Sequence, residues 1–187
     1  MKKFGLPERY MLYVGIIDNR KNVERFILAF SQFAKKDPDI YLVIAGRTDD
    51  PDYSLEEILE KSGCKNRILQ IGFVPDEDLP NLYAGAELFG FVSLYEGFGR
   101  PVIEAMACGT PVVISDVTSL PEIAGEAAIL VDPYDTESVA QGIEIGIKDK
   151  ELRNKLVDAG IKRAARFSNK NFAKGMIDFY TEVEGEQ

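Results

Sequence analysis

Histidine is absent from this sequence of 187 residues, so its side chains supply neither the commonest general base nor the commonest metal ligand. Cysteine is almost as scarce. Cys64 and Cys108 are too few for a disulfide framework, and their wide separation fits a reducing cytosol. Positive charge is short as well: 22 Lys and Arg face 31 Asp and Glu, for a formal net charge of −9 and a pI near 4.7. Non-specific binding to nucleic acid or to an anionic membrane relies on a basic surface, so the balance argues against both, while a local basic cluster on a phosphate remains open. No apolar run reaches the roughly 18 residues that span a bilayer. Lys2 and Lys3 precede the apolar stretch 10–17 in the manner of a signal peptide. However, Pro7, Glu8 and Arg9 interrupt the approach, and Asp18-Asn19-Arg20-Lys21 stands where a small-residue cleavage site belongs. That stretch reads as a buried first strand, and the chain as a cytoplasmic protein without a transmembrane segment.

What is present is ordinary globular material, 45% hydrophobic and 28% charged, in a length that suits one domain. A domain of this size buries roughly 70% of its unfolded surface, enough for a core without staples. Near-continuous apolar runs at 10–14, 41–45, 68–71, 88–92, 111–115 and 128–131 read as strands covered on both faces, the mark of a parallel sheet. Helical patterns separate them. Val23, Phe26, Ile27, Phe30, Phe33 and Ala34 fall on one stripe, and Ser54 with Glu57 makes a capping box. Further helices are expected at 76–85, 101–108, 120–124, 136–148, 151–165 and 169–184, with Gly160 weakening the continuity of the seventh. This alternation predicts a Rossmann-like, doubly wound α/β sheet of about six strands followed by C-terminal helices. Residues 1–187 read as a single domain, because no linker or repeat divides them. Ligands of such sheets lie at the carboxyl ends of the strands.

Two phosphate fingerprints fail there. No G-x-x-x-x-G-K-[ST] occurs, and the first strand runs out through Gly15 into Ile16-Ile17-Asp18 without G-x-G-x-x-G. Other signals stand. Arg20 and Lys21 lie just before a helix, where cations oppose the macrodipole unless an anion compensates, so the pair suits a diphosphate as well as solvent. After the fourth strand, Gly97-Phe98-Gly99-Arg100-Pro101 leads into a helix with proline in its first turn. Glu96 and Glu104 bracket that turn with seven residues between them. A carboxylate can accept both hydroxyls of a vicinal diol, as on a ribose. Asp50-Pro51-Asp52 and Asp76-Glu77-Asp78 fit a metal-binding D-x-D pattern, but acids are favoured before helices on electrostatic grounds alone.

Glu96-x7-Glu104 within EGFGRPVIEAMACGTPVV resembles the signature of the family-4 retaining glycosyltransferases, the group-1 enzymes of GT-B fold. The resemblance extends over nearly the whole chain: YVGIIDNRKN, LVIAG, ILQIGFVPDEDLPNLYAGAELF and SLPEIAGEAAILVDPYD follow in the family's order. It implies the C-terminal, donor-binding half of a two-domain enzyme, starting near the interdomain crossover. The partner would be an N-terminal acceptor-binding domain that also carries the family's histidine, and residues 169–187 would form a helix packing on it. The implied reaction moves a hexosyl group, with retention, from a nucleoside diphosphate sugar to an acceptor hydroxyl, with no metal or other cofactor required.

Carried over residue by residue, the resemblance makes Arg20 and Lys21 the diphosphate cations and Glu96 the carboxylate on the donor sugar; these three are the catalytic candidates. Glu104 would take the ribose, Phe98 and Gly99 would offer N–H groups to the sugar, and Val102 and Ile103 would offer theirs to the phosphates. Phe73 and Val74 would flank the nucleobase, with Gly15 completing the donor site. Three departures from the family pattern stand out. Ile16 replaces an arginine common after that glycine, Arg100 occupies a position more often apolar, and Asn169 stands where tryptophan is common. Two rivals remain: a non-catalytic nucleotide-sugar-binding module or subunit of a split transferase, and a nucleotide-sugar epimerase.

Overall fold

The structure, a computed structural model, describes residues 2–48, 50 and 53–185. Six strands among these residues, β1 (Tyr10–Val14), β2 (Tyr41–Ala45), β3 (Ile68–Gly72), β4 (Leu88–Phe91), β5 (Val112–Ser115) and β6 (Ile129–Val131), form one sheet. Their order is β3-β2-β1-β4-β5-β6, and every neighbouring pair is parallel. This is the usual order of a doubly wound sheet, with its reversal between β1 and β4. The helices are α1 (Val23–Ala34), α2 (Leu55–Ser62), α3 (Leu79–Ala84), α4 (Arg100–Ala107), α5 (Leu120–Ala124), α6 (Thr136–Lys148), α7 (Lys150–Ala164) and α8 (Asn169–Gly185).

The helices pack in two groups that meet where α6 touches α7. α1 meets α2 and α6, whereas α4 meets α3, α5 and α7. The whole predicted stripe of α1 is buried, including Phe26, Phe30 and Phe33, each stabilising by about 2 kcal/mol relative to exposure. Between the two groups, β1, β2, β4 and β5 contribute mostly buried residues, as their unbroken apolar runs require. α7 is continuous through Gly160. A Cβ at that position would lie 3.2 Å from the Met106 Cγ, so the glycine lets α7 settle close on α4 rather than breaking it.

Several element ends differ from the sequence expectation for identifiable reasons. Pro111 has no N–H for the ladder; its carbonyl accepts from Phe89 (2.9 Å) and β5 starts one residue later. The Val92 carbonyl goes to the Asn22 side chain (3.0 Å). β3 runs on to Gly72 because the register slips between Ile44 and Ala45, pairing Ala45 with Gly72. Residues 76–78 form a turn closed by the Asp78 N–H on the Pro75 carbonyl (2.9 Å), which delays α3 to Leu79.

α8 behaves differently from the other long helices. It packs on the short 3-10 turn Ala165–Phe167 before it, and it leaves Phe172, Ile177, Phe179 and Tyr180 exposed. No helix among the described residues is long and apolar enough to cross a membrane.

Candidate functional site

At the carboxyl edge of the sheet, the reversal between β1 and β4 brings the loops after these strands together. The loop after β1 is tightly determined. The Tyr13 hydroxyl, its pKa pushed far up by burial and then by Asp18, donates to the Ile16 carbonyl (2.7 Å). Buried Ile17 draws the chain inward, and Asp18 accepts the Lys21 N–H (2.7 Å) to cap a 3-10 turn, Asn19–Lys21. Asn22 then adopts a left-handed backbone (φ 57°). Its side-chain amide donates to the carbonyls of Val92 (3.0 Å) and Pro133 (2.8 Å), joining the exits of β4 and β6 to the start of α1. Arg20 and Lys21 thus belong to a capped turn of their own, directly before Asn22, the N-cap of α1, whose side chain makes no capping bond to that helix.

The compensating anion is supplied from within the chain. Lys21 Nζ lies 2.6 Å from Glu96 Oε1, with side-chain exposures of only 12% and 10%, and 4.8 Å from the centre of the Phe91 ring. Arg20 donates to the Tyr95 carbonyl (3.1 Å) and approaches Glu96 (3.5 Å) and Asp18 (3.6 Å). The Leu94 N–H donates to the Arg20 carbonyl (2.8 Å). From the opposite side, Thr118 Oγ1 accepts the Glu96 N–H (3.3 Å) and Ser119 Oγ donates to the Glu96 carbonyl (2.9 Å). Glu96 is thus held by the loops after β1 and β5 at once.

Glu104 lies just over one turn into α4. Its Oε2 accepts from the Tyr83 hydroxyl (3.1 Å) and its Oε1 from Arg100 Nε (2.7 Å). Arg100, the departure from the family pattern at this turn, therefore pairs with Glu104. Between the glutamates, Phe98 is partly exposed and stacks edge-on against Phe167 (5.7 Å). Gly99 has φ 85°, and a Cβ there would fall 2.4 Å from Leu120 Cδ2, so the turn into α4 needs glycine on both conformational and steric grounds. The Val102 N–H donates to the Gly99 carbonyl (2.9 Å) and is already partnered inside the first turn of α4; Ile103, beside it, is partly buried. The Cys108 thiol at the far end of α4 has its pKa raised by burial and then by Glu104.

Gly15, Phe73 and Val74 come together elsewhere along the edge. With Val14, Ala45, Gly46 and Leu79 they line a cleft of about 450 Å³ at the exits of β1, β2 and β3. Val74 is buried and Phe73 stands out at the rim. At the floor, a Cβ on Gly46 would fall 1.8 Å from the Gly15 carbonyl oxygen, so backbone lies directly on backbone. Of the D-x-D candidates, Pro51 and Asp52 lie outside the described residues, and Asp78 is paired with Lys3 (2.6 Å). Among the described residues no group of three or more acidic, cysteine or histidine side chains is placed to hold a metal.

Tyr83, Asn22, Thr118 and Ser119 were not singled out from sequence. They act across 21 to 111 residues of chain, and no spacing rule connects such partners.

Comparison with known proteins identifies the family. Residues 2–163 match the family model described as Glycosyl transferases group 1. The O-antigen chain mannosyltransferase B of Escherichia coli is 38% identical over 182 residues, covering 96% of this chain and 48% of that protein. The chain spans about half or less of the first curated relatives it matches. The sucrose-phosphate synthase of Thermosynechococcus elongatus superposes with a TM-score of 0.84 at 30% identity, covering 100% of this chain and 48% of that one. The C-terminal domain of a glycosyl transferase group 1 family protein, LpcC of Francisella tularensis, has a TM-score of 0.78 at 27% identity, with 89% of each chain covered.

Proposed function

The chain belongs to the group 1 glycosyl transferases, and from that premise we propose that it is the nucleotide-sugar donor-binding domain of a retaining hexosyltransferase. The observation that carries the proposal is the convergence of Arg20, Lys21 and Glu96 at the reversal between β1 and β4, with Glu104 on the helix that follows. Two cations and a carboxylate at a strand-end crevice suit a diphosphate joined to a polyhydroxylated sugar. In this reading Arg20 and Lys21 neutralise the diphosphate, and Glu96 exchanges its contact with Lys21 for hydroxyls of the sugar. Glu104 accepts from the ribose. The cleft lined by Gly15, Phe73 and Val74 receives the base. Phe98, Gly99 and Ile103 contribute backbone N–H groups to sugar and phosphates, and Val102 does so by sharing its N–H with Gly99.

In the reaction the bond between the anomeric carbon and the diphosphate oxygen breaks, and a bond from that carbon to the acceptor oxygen forms on the same face. The acceptor's proton is released with the diphosphate. The cations and the N-terminus of α4 stabilise the charge that develops on the leaving group, which is why no metal is required.

The exposed apolar residues of α8 are proposed to dock on an N-terminal acceptor-binding domain. That domain would complete the cleft, exclude water and align the acceptor, an alignment worth roughly 7–11 kcal/mol of a barrier. The chain by itself is therefore expected to bind donor and transfer nothing. Thermal unfolding with UDP, GDP, ADP and their hexose conjugates tests the reading, because a ligand bound by the folded state raises the midpoint by mass action. One nucleotide and its sugar conjugate should do so; no shift with any of them would overturn the proposal. Efficient transfer by the chain alone would overturn the half-enzyme arrangement instead.

A further inference from the structure

Glu104 sits beside a small hollow of about 230 Å³ whose lining includes Tyr83, Arg100 and Cys108. Its carboxylate offers about four lone-pair positions. The Tyr83 hydroxyl occupies one on Oε2 and Arg100 Nε one on Oε1, so each oxygen keeps one position, and two adjacent acceptors remain. The two donors are unlike. The Arg100 side chain is 79% exposed. The Tyr83 residue is 1% exposed, with its ring edge-on to Phe89 (5.4 Å, 77°) and its carbonyl accepting from Thr110 Oγ1 (2.7 Å). Burial, and after it the charge of Glu104, raises the phenol pKa well above its ordinary value, so the hydroxyl remains a donor and the carboxylate the acceptor.

We propose that Tyr83 is a positioning residue for the ribose: its buried hydroxyl fixes the Glu104 carboxylate so that the two remaining acceptor positions meet the 2′ and 3′ hydroxyls together. The inference rests on the proposed role of Glu104. A carboxylate free to rotate still accepts one hydroxyl but loses the registration of the pair. Tyr83 therefore governs how strongly the site distinguishes a ribonucleotide from its 2′-deoxy counterpart, without touching either.

Calorimetric titration of the full chain with UDP, GDP and ADP, each against its 2′-deoxy form, tests this on the native protein, Tyr83→Phe and Glu104→Ala. The native chain is expected to prefer the ribonucleotide about tenfold, within the range of one hydrogen bond to a charged group. Tyr83→Phe should reduce that ratio to about threefold or less while binding the deoxynucleotide with unchanged affinity. Glu104→Ala should bring the ratio close to one. A native ratio in Tyr83→Phe, with the ratio abolished in Glu104→Ala, would overturn the positioning role and leave the ribose assignment standing. Equal weakening of both ligands in Tyr83→Phe would mark the residue as packing only and equally overturn it. A native ratio in Glu104→Ala would remove the ribose assignment itself, and the proposal with it.

Discussion

Glu96 and Glu104 share a motif, yet the protein holds them in opposite ways. Glu96 lies in a loop, is almost buried, and is tied through its side chain to Lys21 and Arg20 and through its backbone to Thr118 and Ser119. Glu104 projects from a regular helix and is touched at its tip by one buried hydroxyl and one exposed guanidinium. A carboxylate that joins three loops supports the fold as well as the ligand role proposed for it. One that leans out from a helix can be altered with the fold left intact. The same substitution at the two positions should therefore be read on different instruments.

The largest effect is expected at the half-buried pair of Lys21 and Glu96. Lys21→Ala leaves Glu96 with only Arg20 at 3.5 Å, and losing a charge-assisted hydrogen bond at a half-buried site costs about 1.5–3 kcal/mol. Urea unfolding should show that loss, and Lys21→Met with Glu96→Leu should recover most of it. Single variants as stable as the native chain would erase the contrast between the glutamates. In the same Lys21→Ala protein, affinity for a nucleoside diphosphate should fall by about ten- to a hundredfold.

Next comes the turn between them. Gly99→Ala must accept φ 85° and displace buried Leu120, at a cost of about 2 kcal/mol, and the unfolding midpoint should fall accordingly. A native midpoint would mean that the turn tolerates a side chain and does not fix the geometry between Glu96 and Glu104.

Ligand profiles sharpen the comparison further. Glu104→Gln should weaken even a bare nucleoside diphosphate by about tenfold, whereas Glu96→Gln should spare the bare nucleotide and weaken the intact donor. Calorimetry with both ligands separates the roles, and identical losses would merge them. The smallest effect is expected from Arg100→Ala. This exposed pair, with arginine preceding glutamate by four residues, is worth no more than about 0.5 kcal/mol. A clear drop in urea midpoint would show that Glu104 depends on its exposed partner more than on its buried one.

The sheet was legible in the sequence because its strands are covered on both faces, so the apolar runs at residues such as Leu12, Val43 and Ile114 continue unbroken. The strand ends were less so. Val92 and Pro111 are apolar like their neighbours, and only the partners of their backbone groups reveal that the ladder has stopped. In the site, the glutamates and the basic pair could be named from local spacing. That Lys21 closes on Glu96, 75 residues away, follows from strand order rather than from any local pattern. The link from Arg100 to Glu104 was available from their helical spacing. Tyr83 reads simply as a core aromatic, since nothing in its own segment announces that its hydroxyl faces a carboxylate on another helix.

The contact of Gly46 with the Gly15 carbonyl bears on how this cleft can diversify. Where these two glycines meet, the cleft presents peptide backbone, and both N–H groups there are already engaged, Gly15 with Ala45 (3.0 Å) and Gly46 with Gly72 (2.8 Å). Substitution cannot redecorate such a floor without prising two strands apart. Any change in what the cleft admits, including the base proposed for it, has to be written in the surrounding side chains, Phe73, Asp76 and Arg47 among them, while the contact of the two glycines stays the same.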